Sequence, residues 1–166
     1  MRIVFALSGI VGLVAALTAF AVAGSAAKSV ASTNAAASSN AALFAVLTGR
    51  KEVGTNGRRG AGDPDGRGSF TATIDGTQLC FGITVTNIDT PNAAHIHKGR
   101  PNQSGGVVVP LTAPSGGDPG ASSGCVTVAA DLAAAIAKNS SKYYANVHNA
   151  AFPGGAVRGQ LFRLSR

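Results

Sequence analysis

Apolar and polar residues alternate along much of the chain beyond its first forty positions. Phe70, Ala72 and Ile74 alternate with Thr71 and Thr73, and Leu79, Phe81, Ile83 and Val85 alternate with Cys80, Gly82, Thr84 and Thr86. A period of two turns successive side chains to opposite faces of a strand. Asp75-Gly76-Thr77 between the two runs carries turn chemistry, so residues 67–87 are predicted as a β-hairpin. Shorter runs predict strands at 42–48, 93–97, 106–112, 124–128, 143–148 and 156–163. Glycine- and proline-rich stretches at 60–66 and 114–120 separate several of them. Pro110 falls inside one run, and its missing N–H marks an edge strand or a bulge.

The period changes over 129–139, where Leu132 and Ile136 stand one helical turn apart and Asn139 is placed to end a short helix. Together these elements predict an all-β fold. It is an antiparallel, Greek-key-like β-sandwich of about eight short strands with one short helix, a closed barrel being the alternative.

The start of the chain follows a different pattern. Arg2 precedes an uncharged run from Ile3 to Phe20, and Ala21-Val22-Ala23 offers the small-x-small pattern of signal peptidase sites. Residues 1–23 therefore read as an export signal, with cleavage up to residue 27 also compatible; left uncleaved, the run would be a membrane anchor. Residues 24–40 are almost wholly Ala, Ser, Thr and Asn, with little to bury, and read as a flexible linker, an alanine-rich helix being the alternative. One domain over 41–166 remains. It is expected outside the cytoplasm (secreted, periplasmic or envelope-associated), with no membrane span after cleavage.

The net charge of +7 suggests an anionic partner. The positive residues form only doublets, Arg50-Lys51 and Arg58-Arg59, with no interleaved aromatics, which argues against nucleic acid and leaves an extracellular protein or acidic polysaccharide. Cys80 and Cys125 are the only cysteines; in an oxidising compartment they are expected to form a disulfide, although a thiol ligand or redox pair without CxxC spacing is the other use.

The candidate chemistry lies in three histidines, all in two strand-like segments. His95 and His97 stand two apart and share one face of a strand, with Ala94 and Ile96 on the other. His148 closes its own strand, on the face of Tyr144 and Asn146. Three imidazoles so placed offer nitrogen ligands for zinc or copper(II), with Glu52 and Asp89 as possible additional ligands. The structural alternative is that these rings hydrogen-bond backbone at the end of the sandwich. Met1 is the sole methionine, which excludes a methionine-rich copper(I) site, and paired cysteines would exclude a His₂Cys copper site.

Leu47-Thr48-Gly49-Arg50-Lys51-Glu52-Val53, Ala94-His95-Ile96-His97-Lys98-Gly99, Gly106 to Leu111, Asn146-Val147-His148, Pro153-Gly154-Gly155 and Arg158-Gly159-Gln160-Leu161 occur in that order. The series resembles the CHRD (chordin-type) domain family over 41–166. Gly54, Ala156 and Asn149 depart from the family's usual proline, glutamate and threonine. The resemblance implies an extracellular β-sandwich and no settled activity.

Three functions compete. The first is a non-catalytic copper- or zinc-binding module using His95, His97 and His148. The second is an adhesion or interaction module with structural histidines. The third is a dismutase-like copper enzyme, suggested by the β-sandwich and HxH strand of copper/zinc superoxide dismutases. That likeness is architectural, and those enzymes use more histidines than this chain has. No G-x-S-x-G or HExxH motif points to a hydrolase.

Overall fold

The computed structural model describes residues 40–116 and 118–164. The export signal and all of the linker except Asn40 lie outside the described residues.

Nine strands follow one another as β1 (Ala41–Thr48), β2 (Arg67–Asp75), β3 (Gln78–Thr86), β4 (Pro91–Lys98), β5 (Val107–Leu111), β6 (Gly120–Thr127), β7 (Tyr143–Asn149), β8 (Val157–Gln160) and β9 (Phe162–Arg163). One helix, α1 (Ala130–Lys138), connects β6 to β7. The predicted hairpin forms β2 and β3, paired from Arg67↔Thr86 to Asp75↔Gln78. Gly76, at φ 59°, supplies the left-handed turn residue that closes it.

The strands form a single antiparallel sheet in the order β5-β4-β7-β8-β1-β2-β3-β6, with β9 also paired to β1. The fold is therefore all-β with crossover connections, as the alternation predicts. One half, β5-β4-β7-β8, meets the other through a single β1–β8 pair, Thr48↔Arg158. Both halves turn their apolar face to one core. Leu43, Leu47, Phe70, Leu79, Ile83 and Val85 come from one half, and Ala94, Ile96, Val109, Val147 and Val157 from the other. Helix α1 adds Ala133, Ile136 and Ala137. Each buried Leu, Ile, Val or Phe side chain among them contributes roughly 1.5–3 kcal/mol, and the alanines less.

Two boundaries differ from the sequence reading. The segment 156–163 divides at Leu161, which is buried and donates its N–H to Tyr143 O at 2.9 Å, leaving β8 and β9 as separate strands. Among the described residues there are consequently nine strands where about eight are predicted. Strand β6 begins at Gly120, four residues before its apolar signal, because Gly120–Ser123 pairs through its backbone with Gly82–Val85. Pro110 lies on β5, an edge strand of the sheet, and a register shift follows between Ile96 and His97. Cys80 and Cys125 face each other across β3 and β6 and form the disulfide. Among the described residues no helix is long and apolar enough to cross a membrane.

Candidate metal centre

Strands β4, β7 and β8 divide their side chains by parity. Ala94, Ile96, Tyr143, Ala145, Val147 and Val157 enter the core. The alternate positions are His95 and His97 on β4, Tyr144, Asn146 and His148 on β7, and Arg158 and Gln160 on β8. Register sets His95 beside Asn146, His97 beside Tyr144, and Asn146 beside Arg158. The second face of these three strands is therefore mostly polar, with Ala93 opposite His148 as an apolar position.

That polar face is largely buried, since two loops lie over it. From residues 99–106, Gly105 N donates to Tyr144 Oη at 3.1 Å, and the carbonyls of Arg100 and Gln103 accept from Arg158 Nη2 at 3.1 and 2.9 Å. Gln160 Nε2 reaches Gly99 O at 2.8 Å. From residues 49–66, Glu52 lies beneath Gly155. A Cβ at Gly155 would stand against Glu52 Oε2 and 2.6 Å from Asn146 Oδ1, so this site, at φ 138°, requires glycine. Ser104 Oγ ties the two loops together through Val53 O at 3.0 Å.

The three histidines converge. Their ligand nitrogens all lie within 4.8 Å of one another, and His95 Nδ1 is 3.2 Å from His148 Nε2. His97 Nδ1 is 2.9 Å from Gly105 O and His148 Nδ1 is 3.0 Å from Pro153 O. A carbonyl accepts only, so both rings carry their proton on Nδ1; the Nε2 of His148 then accepts from His95 Nδ1 at 3.2 Å, and that of His97 keeps its lone pair free. His97 Nε2 is buried and has no hydrogen-bond partner. Backbone-anchored imidazoles with a free second nitrogen are the usual arrangement of metal-ligating histidines. Tetrahedral zinc–nitrogen bonds of roughly 2.0–2.1 Å require ligand atoms about 3.3 Å apart; the His95–His148 spacing meets this, and with separations in the group of up to 4.8 Å the rings would close on an ion.

Electrostatics keep the cluster neutral. Burial lowers the His97 pKa to about 4; the Gly105 carbonyl opposes this, while His95, His148 and Arg158 reinforce it. Burial likewise lowers His95, with help from His148, and lowers His148 against the pull of the Pro153 carbonyl. Neutral imidazole is the form that binds a metal.

Among the described residues, the cluster able to hold an ion comprises His95, His97 and His148 without Glu52 or Asp89. Glu52 is 3% exposed; its Oε1 accepts from Val53 N at 2.9 Å, while Oε2 is buried without a partner. Burial raises its pKa, against the Val53 N–H, the Arg158 charge and the Asn146 amide. Asp89 contributes its backbone carbonyl to Asn149 Nδ2 at 3.3 Å. Sequence reading assigned no role to Arg158, which is 2% exposed and lies 3.4 Å from the centre of the Tyr144 ring. Its parity with Gln160 was the available signal.

An antiparallel β domain with three imidazoles on a loop-covered sheet face defines the class. The CHRD domain family profile matches residues 43–161, and the chain belongs to that family. No curated protein and no solved structure gives a significant match to it.

Proposed function

We propose that this domain is a non-catalytic metal-binding module that holds one copper(II) or zinc ion outside the cytoplasm through His95, His97 and His148. The observation that carries the reading is the buried, unpartnered Nε2 of His97, on a ring whose Nδ1 is already committed to a backbone carbonyl. Leaving such a nitrogen unbonded costs roughly 1–3 kcal/mol, which an ion would offset. Three nitrogen ligands leave a coordination position for water or for a partner's side chain. The extracellular setting typical of the family and the Cys80–Cys125 disulfide support the location.

Calorimetric titration of the purified protein with copper(II) and with zinc tests this reading. One ion per chain is expected, with binding abolished in the His95→Ala, His97→Ala, His148→Ala triple variant. Wild-type affinity no higher than that of the triple variant sinks the proposal. Turnover of superoxide or peroxide by the loaded protein would instead make it an enzyme.

A further inference from the structure

The two basic doublets, Arg50-Lys51 and Arg58-Arg59, take no part in the histidine cluster. Segment 52–60 folds back on itself: Val53 bridges Arg59, and Gly54 N donates to Arg58 O at 2.9 Å. One member of each doublet thereby reaches the same cavity. Lys51 and Arg59 line a space of about 200 Å³ with Asn102, Arg158, Gln160 and Phe162.

No carboxylate is among its lining residues. Glu52 acts on Arg158 from outside the cavity, whereas Lys51 and Arg59 meet no carboxylate in its lining; gathering like charges in this way is unfavourable and favours an anionic ligand. The effect is visible at Lys51, whose pKa is lowered by burial first and by the Arg59 charge second. Lys51 Nζ donates to Val46 O at 2.8 Å, which fixes the ammonium and leaves donors for a ligand. Arg158 is held by its two carbonyl contacts and by the Tyr144 ring. Phe162, 54% exposed, adds a flat apolar surface beside the cations.

The space is smaller than the roughly 300–1,000 Å³ of sites for drug-sized ligands and suits a single ring. A uronic-acid unit combines the required features: a carboxylate for the cations, hydroxyls for Asn102 and Gln160, and a C–H face for the aromatic ring. We propose that this cavity binds a uronic-acid unit of an acidic polysaccharide, with Lys51 and Arg59 on its carboxylate and Phe162 against its sugar face. None of the three histidines lines this cavity, and Arg158, through the Tyr144 ring, is the residue shared with their face of the sheet.

The test titrates the full purified chain with trigalacturonate, its neutral counterpart galactotriose, and inorganic phosphate, at low and at physiological salt. The acidic trimer should bind at least about tenfold more tightly than the neutral trimer, and more weakly as salt rises. Lys51→Gln and Arg59→Gln should each weaken it by roughly three- to tenfold. Phe162→Ser should weaken the trimer and leave phosphate unaffected. Thermal unfolding midpoints equal to wild type establish that the variants are folded, without reference to metal. Equal binding of acidic and neutral trimers, or variants that bind like wild type, overturns the proposal. Phosphate binding as tight as the acidic trimer overturns the sugar assignment and leaves a simple anion site.

Discussion

The rings of His97 and Tyr144 lie parallel, with 4.8 Å between centroids and 6° between planes. Because β7 runs between β4 and β8, His97 and Arg158 approach Tyr144 from neighbouring strands on either side. The tyrosine thus fixes the plane of one candidate ligand, and its hydroxyl holds the loop that supplies that ligand's carbonyl partner.

Two substitutions at Tyr144 separate these roles. Tyr144→Phe keeps the stack but leaves Gly105 N–H without its acceptor, and should lower stability in urea by about 1–2 kcal/mol with metal affinity nearly unchanged. Tyr144→Leu removes the stack as well, and should weaken copper(II) or zinc binding roughly 10–100-fold, the range for groups that orient a ligand. Equal metal affinity in the two variants would show that ring orientation contributes nothing.

Acid should destabilise the metal-free protein before it titrates ordinary carboxylates. His97 has a folded pKa of about 4, against an ordinary 6.5. Between those values the unfolded chain is protonated at this residue and the folded chain is not, so stability falls as the pH drops from about 6.5 towards about 4. Below that window both states carry the proton and this loss levels off. His95 and His148, shifted the same way, steepen it. Glu52, shifted upward, acts in the opposite sense: its protonation favours the fold as the pH falls. Thermal melts of wild type and His97→Asn across this range isolate the His97 contribution. Parallel curves would contradict it.

Gly155→Ala should be among the most damaging small substitutions. Its φ of 138° is strained for any side chain, and the added methyl would press on Glu52 and Asn146. A loss of about 1–3 kcal/mol is expected in chemical denaturation. Gly154→Ala, whose Cβ would meet nothing within 4 Å, is the matched control and should be nearly neutral.

The Cys80–Cys125 bridge spans a sequence separation of 45. Closing a loop of that length restricts the unfolded chain and should contribute about 4 kcal/mol. The Cys80→Ala, Cys125→Ala variant, compared with wild type under non-reducing conditions, measures this directly. Unchanged stability would mean that the paired strands β3 and β6 already constrain the unfolded ensemble.

Strict alternation made β2, β3 and the inward faces of β4 and β7 legible, because parity alone decides which side of a strand is buried. The shared face of His95 and His97, and that of Tyr144, Asn146 and His148, followed from the same rule. Coverage of that face did not. The contacts of Arg158 with Arg100 and Gln103 join residues more than fifty positions apart, which no local pattern encodes. Glu52 illustrates the limit: its place in an early loop is legible, whereas its burial beside Asn146 and Gly155 is not. The first residues of β6 were hidden for the opposite reason, since glycine and serine pair through backbone groups without an apolar signature.

The β1–β9 pairing also bears on how the domain can be joined to other chains. Leu164 N donates to Ala42 O at 2.9 Å, so the backbone enters and leaves this fold side by side. Side-by-side ends tolerate both insertion into a host loop and circular permutation. A permutant opened at the exposed Gly116, between β5 and β6, with a short peptide bridging the old ends, would retain every strand pairing of the sheet and leave the residues of both candidate sites uncut.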